Sequence, residues 1–277
     1  MQNAVIFVGP TSVQFELPAA NREVMPGVLW GSVDAFPTPA YWAYQVLARR
    51  LVGTPIRYRL GDTLTEEIAA CVLGGHGIPA GIGLAAFRQL KSAGVFTSTP
   101  TEDEVLSLLS VPIEIDGRII HYRFAKQKSR YLSTILARLA IDAPPTDTGK
   151  SLREWLLNLP GIGYKTASWI ARNSLDADDV AILDIHVLRA GHLAGFFDGN
   201  LTVGKHYLQL EKQFLDFSEA IGVRSAELDA VIWHEMMTSV KTVRKISSAF
   251  SPRNSITISR RSTNKCRTDS HQSRLFD

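Results

Sequence analysis

The run Leu159-Pro160-Gly161-Ile162-Gly163 constrains this chain more than any other stretch. Pro160 stops a helix, and the two glycines permit a tight turn at φ values that other residues resist. Both flanks read as helix. Before the turn, Ser151 with Glu154 three residues on has the form of a capping box, so a helix is expected to start there. Leu152, Trp155, Leu156 and Leu159 then recur at i, i+3, i+4 and i+7, which gives it one apolar face. A second helix is expected over 164–173. Two helices joined this closely leave backbone N–H groups at the N-terminus of the second, where they can hold a phosphate.

On that second helix Lys165, Trp169 and Arg172 share one face by spacing, with Ala167, Ile170 and Ala171 opposite. A lysine in a first turn sits at the positive end of the helix dipole, which disfavours the ammonium form. Its neutral amine is a nucleophile. Asp184 follows nineteen residues later, at the end of the apolar run Val180-Ala181-Ile182-Leu183. A carboxylate placed there is costly to bury unless it is paired or catalytic.

Leu159-Pro160-Gly161-Ile162-Gly163-Tyr164-Lys165 together with Asp184-Ile185-His186 resembles the helix–hairpin–helix superfamily of base-excision DNA glycosylases, and within it the bifunctional 8-oxoguanine DNA glycosylases. The strong likeness covers 151–193, and a weaker one extends over 62–240. The resemblance implies a mainly α, two-lobed helical fold, and an enzyme that excises an oxidised purine such as 8-oxoguanine through a lysine Schiff base. Lys165 would attack C1′ of the damaged nucleotide, and Asp184 would be the essential carboxylate. The hairpin N–H groups of Gly161, Ile162 and Gly163 would grip a phosphate, and His186 would contact another near the lesion. A monovalent cation at the hairpin would sit on the carbonyls of Leu157, Leu159 and Ile162; the chemistry requires no cofactor. His76, in the glycine loop 74–77, would be the wedge that fills the gap left by the flipped nucleotide. Trp169, and Trp233 on the last helix, would form the base pocket. The implied partner is double-stranded DNA with a damaged or modified base, bound by a monomer. One departure stands out: the loop 176–183 has neither Gly nor Pro before the aspartate. Two readings stay open beside this one, a lyase-competent glycosylase for another modified base, for example in foreign DNA, and a non-catalytic helix–hairpin–helix DNA-binding protein.

The rest of the chain is read around this element. Residues 4–17 alternate weakly, with Val13, Phe15 and Leu17 on one side and turn chemistry at 9–12, so a small N-terminal β-hairpin is expected. Helices are expected from Pro39 to Leu51, from Thr63 to Leu73, from Pro79 to Ser92, from Thr101 to Leu109, up to Ala140, and over 203–220 and 224–240. Between 118 and 132, Arg123, Lys126, Lys128 and Arg130 are interleaved with Tyr122, Phe124 and Tyr131, a pattern suited to phosphate contacts, with Lys128 foremost. A helical core over 1–246, containing the hairpin element 151–173, is expected to precede a basic, Ser/Thr-rich disordered tail over 247–277.

The charge is unevenly placed. Residues 241–277 hold nine Lys/Arg against two Asp within a chain of net charge +3, so residues 1–240 are net acidic and must bind DNA through a local patch. Cys71 and Cys266 are the only cysteines and cannot supply four ligands to an iron–sulfur cluster. No apolar stretch approaches a membrane span, and the first residues lack the basic start of a signal peptide. Cytoplasmic residence is therefore expected, nucleoid-associated if the source is bacterial or archaeal.

Overall fold

The structure is a computed structural model that describes residues 1–239 apart from 55, 57 and 76. The wedge expectation for His76 and the expectation of a disordered tail lie outside the described residues.

A two-stranded hairpin opens the chain, β1 (Gln2–Val8) against β2 (Thr11–Leu17), with Ala4 opposite Phe15 and Ile6 opposite Val13. A second small pair, β3 (Glu23–Met25) with β4 (Val28–Leu29), follows. Helices α1 (Pro39–Val52), α2 (Leu64–Leu73), α3 (Ala80–Ser92) and α4 (Glu102–Ser110) come next. Then come β5 (Ile113–Ile115) and β6 (Arg118–Ile120), followed by α5 (Ala125–Ile141), α6 (Gly149–Leu156) and α7 (Tyr164–Leu175). The described part closes with α8 (Ile185–Ala194), α9 (Val203–Ala220) and α10 (Ser225–Thr238). Among the described residues no helix is long and apolar enough to cross a membrane.

Two hydrophobic cores divide the molecule into lobes. One is built by α2 to α7, from Ile68 to Ile182. The other joins chain from both ends, Leu17 to Val46 with Ala181 to Met236. The apolar run 180–183 is the seam. Val180 and Ile182 enter the first core and Ala181 and Leu183 the second, the alternation of an extended segment buried on both faces. This segment pairs with no strand, so side chains satisfy its backbone. The N–H of Ala181 donates to Glu211 at 3.0 Å, that of Ile182 to Asp229 at 3.2 Å and that of Leu183 to the Tyr207 hydroxyl at 3.2 Å. Tyr207 in turn donates to the Ala181 carbonyl at 2.7 Å. Both buried carboxylates are compensated by arginines from the other lobe, Arg153 on Glu211 and Arg172 on Asp229.

Two local readings are corrected. The capping box of α6 lies one turn earlier, with Thr148 as N-cap and Ser151 as its reciprocal partner. Asp179 accepts from the N–H groups of Gly149 and Lys150 at 3.0 and 2.9 Å, and so fixes the helix start there. The basic stretch from Arg118, expected to lead into the helix that ends near Ala140, begins instead as β6, the second strand of a hairpin over 113–120. Asp116 and Gly117 both take positive φ (51° and 72°), the two-residue turn that matches strand twist.

Candidate active site

The hairpin between α6 and α7 is shaped by one glycine in particular. Gly161 has φ +79°, and a Cβ there would stand 2.5 Å from the ring of Tyr131 on α5. Lys128 and Arg130 lie over the same tyrosine ring, at 5.9 and 5.8 Å from its centroid. The basic stretch of α5 is thereby brought against the hairpin, a juxtaposition that spacing alone does not reveal. Burial also pushes the Lys128 ammonium below its ordinary pKa. Gly163 is the N-cap of α7 and offers its first turn no side-chain acceptor, while a Cβ at Gly163 would meet open space. The first N–H groups of α7 thus remain available to an outside anion.

Lys165 stands in this uncapped first turn and is half-buried. It lines an open cleft of about 590 Å³ formed by residues 163–166 of α7 and 203–209 of α9. Tyr164 stacks on Tyr207 at 5.4 Å, so the wall of the cleft is tied to the residue that satisfies the seam.

Asp184 is delivered by the seam and is 4% exposed. Its Oδ1 accepts from the N–H groups of His186 and Val187 at 2.8 and 3.0 Å, so it caps α8. Both bonds fall on one oxygen, which leaves Oδ2 outside the cap. The loop before it solves the missing-glycine problem with Asp176, which takes the left-handed conformation at φ +51°. Arg224 pairs with Asp176 and Asp178, and Asp178 caps α10 through the N–H of Ala226 at 3.0 Å. Asp176 and Asp178, with Asp179 at the start of α6, thus shape a loop that holds neither Gly nor Pro.

Lys165 and Asp184 both act on His186. Burial holds this imidazole below its ordinary pKa, Arg189 and Lys165 push the same way, and Asp184 opposes them. The His186 ring meets Trp233 edge-on at 6.3 Å, Trp233 meets Tyr58 at 4.8 Å, and Tyr58 meets Trp169 at 6.0 Å. Trp169 lies deeper than its place on the Lys165 face suggests. Its side chain is part of the first core and 6% exposed, and its indole N–H donates to the wholly buried Glu67 at 3.0 Å. The shared face of α7 therefore faces protein beyond Lys165, since Arg172 is likewise buried on Asp229. Trp233 is also buried, on α10.

Sequence reasoning missed Tyr58, Glu67 and the seam-holding pair Glu211 and Asp229. Glu67 carried a signal: it lies at i−3 and i−4 to Ala70 and Cys71, on a helix that is apolar from Ile68 to Leu73. Tyr58, in an irregular segment, carried none.

The family model of the 8-oxoguanine DNA glycosylases, Ogg-HhH, matches residues 59–223. The chain belongs to this family. The match contains Lys165, Trp169, Asp184 and His186, while Tyr58 and Trp233 lie outside it. Among curated relatives, the 8-oxoguanine DNA glycosylase/AP lyase of Methanocaldococcus jannaschii is 32% identical over 139 residues, 48% of this chain and 66% of that protein. The enzyme of the same name from Fusobacterium nucleatum is 30% identical over 126 residues, 41% of this chain and 57% of its own length. The matches thus span less than two thirds of these two relatives. The crystal structure of the M. jannaschii 8-oxoguanine DNA glycosylase superimposes with a TM-score of 0.51 at 24% identity, over 71% of this chain and 92% of that one. That likeness shows the two-lobed helical Ogg fold in which the hairpin and seam are set.

Proposed function

We propose that this chain is a bifunctional DNA glycosylase/AP lyase that excises an oxidised purine, 8-oxoguanine foremost, from double-stranded DNA, acting as a monomer. The observation that carries the reading is the pair of half-buried Lys165 in the uncapped start of α7 and buried Asp184 at the cap of α8. The lysine opens onto a cleft, the carboxylate delivered by the seam keeps its Oδ2 outside the cap, and both act electrostatically on the His186 imidazole.

In this reading the N–H groups of Gly161, Ile162 and Gly163 hold a backbone phosphate, with Lys128 beside them and His186 on a second phosphate. Neutral Lys165 Nζ attacks C1′ of the flipped nucleotide. The N-glycosidic bond breaks, and the base leaves and takes up a proton. Asp184, ionised, stabilises the cationic sugar. Loss of the Nζ proton and opening of the sugar give the Schiff base. Removal of a C2′ proton then expels the 3′ phosphate by β-elimination, and water frees the lysine. Trp169 and Trp233 are the proposed walls of the base pocket. The reaction routes no step through a cofactor. The carbonyls of Leu157, Leu159 and Ile162 are neutral oxygens suited to a monovalent cation. Leu159 fits because it receives only a long 3.4 Å bond from the Ile162 N–H and keeps a lone pair free.

The test is borohydride trapping on duplexes carrying different modified bases, with base release and nicking scored separately. A covalent adduct and release of 8-oxoguanine are expected. Absence of the adduct on every duplex, including one with an abasic site, overturns the proposal.

A further inference from the structure

We propose that Tyr58 occupies the base slot of the free enzyme, so that a flipped nucleotide is captured in exchange for this side chain and Tyr58 helps set which bases are taken. The inference rests on the reading of Trp169 and Trp233 as pocket walls.

Three observations carry it. First, Tyr58 is the aromatic ring that lies against both walls, edge-on to Trp233 at 4.8 Å and tilted to Trp169 at 6.0 Å. Aromatic contacts of this kind are those a purine would make in its place. Both indoles are buried with Tyr58 in position.

Second, the Tyr58 hydroxyl is buried and has no hydrogen-bond partner among the described residues. A permanent core tyrosine finds one, because an unpaired buried hydroxyl carries the full penalty of its lost hydration. Here that penalty lowers the barrier to leaving. Tyr122 shows the contrast, since its buried hydroxyl donates to the Leu73 carbonyl at 2.5 Å.

Third, there is a place for the ring to go. A cavity of about 430 Å³ is lined by Ile56 and Arg59, which flank Tyr58 in the chain, and by Arg49 and Arg172. The Nε–H groups of Arg49 and Arg172 are themselves buried without partners, and both guanidinium groups act electrostatically on the tyrosine hydroxyl. The segment bearing Tyr58 has a fixed pivot: the N–H groups of Leu60 and Gly61 are held by Glu67 at 2.6 and 2.8 Å.

The consequence is an exchange equilibrium. A base must gain more between the tryptophans than Tyr58 loses, and bases that stack or hydrogen-bond less well stay outside.

The experiment compares the full chain with Tyr58→Phe and Tyr58→Ala. The readouts are melting temperature without DNA, half-saturation of 8-oxoguanine release in single turnover, and nicking of a pre-formed abasic site. Tyr58→Phe keeps the ring and deletes the unpaired hydroxyl, so it should melt about 2–4 °C higher and capture the base several-fold less tightly. Tyr58→Ala empties the slot, so it should melt lower, yet capture the base several-fold more tightly and release more undamaged guanine. Abasic nicking should stay within about twofold in both, because no base is exchanged. A Tyr58→Phe variant with unchanged or lower melting temperature overturns the proposal. So does a Tyr58→Ala variant that captures less tightly, or that loses base release and abasic nicking together. A wild-type chain that traps no DNA sinks the glycosylase reading instead, while the Tyr58→Phe thermal shift is judged without DNA.

Discussion

Glu67 and Trp169, 102 positions apart, are joined by a 3.0 Å hydrogen bond from the indole N–H to the carboxylate, with Glu67 wholly buried. The second oxygen of Glu67 holds the N–H groups of Leu60 and Gly61. One carboxylate thus ties α2, α7 and the segment carrying Tyr58 together. Glu67→Ala leaves these three donors, two of them buried, without an acceptor, and each buried one costs about 1–3 kcal/mol. The variant should lose roughly 3 kcal/mol or more in urea denaturation. A loss below about 1 kcal/mol would mean that the three donors find other partners.

Lys165→Gln removes the proposed nucleophile but leaves Gly161, Gly163 and the uncapped start of α7 intact. Borohydride trapping and strand cleavage should disappear while duplex binding stays within a few-fold of wild type. Nicking by the variant at the wild-type rate would refute Schiff-base chemistry at this residue.

Asp184 has two roles that substitution can separate. An asparagine in place of the aspartate would keep an oxygen for the His186 and Val187 N–H groups, so Asp184→Asn should change stability by less than about 1 kcal/mol. Activity should still fall by orders of magnitude, because the charge proposed to steady the cationic sugar is gone. Asp184→Ala should add the loss of the cap, about 0.5–2 kcal/mol. An active, stable Asp184→Asn would leave the residue a helix cap and nothing more.

Legibility followed the range of the interactions. The helices around 159–163 were readable because proline, glycine and apolar periodicity act within a few residues. The Asp116-Gly117 hairpin had the same local signal, and the basic run after it masked the turn. The seam could be recognised as an apolar run ending in a carboxylate, but its alternation between two cores depends on chain segments that meet only in the fold. Trp169 shows the limit most clearly. Helical spacing places it on the face of Lys165, yet whether that face meets solvent or protein is decided by Glu67, far away in the chain.

Gly161→Ala tests the hairpin. The backbone there is at φ +79°, and the new Cβ would stand 2.5 Å from the ring of Tyr131, over which Lys128 and Arg130 lie. Strain in the left-handed region costs about 1 kcal/mol or more for a non-glycine residue, and the ring must also shift. Duplex affinity should fall about tenfold or more while the chain stays folded at 25 °C. Damaged and undamaged duplexes should be affected alike, since phosphate contacts carry no base information. A loss confined to the damaged duplex would contradict the assignment of the hairpin as a phosphate grip.

Asp229 gives the fold a pH signature. Burial raises its pKa from 3.8 to about 6, with Arg172 and the N–H of Ile182 pulling the other way and Asp184 adding to the rise. The folded state therefore holds this proton more tightly than the unfolded chain does. Its contribution to stability is fully present below about pH 4 and is lost as the pH rises through about 6, by roughly 3 kcal/mol. Asp229→Asn keeps an oxygen for Ile182 but does not titrate, so it lacks this slope. The ion pair with Arg172 that it gives up belongs to the same titration, because that pair exists only while Asp229 is ionised. Urea denaturation of both proteins at pH 4.5 and pH 7 should show the wild type losing stability relative to the variant across that interval. Parallel changes in the two would mean that Asp229 is ionised throughout, held by Arg172.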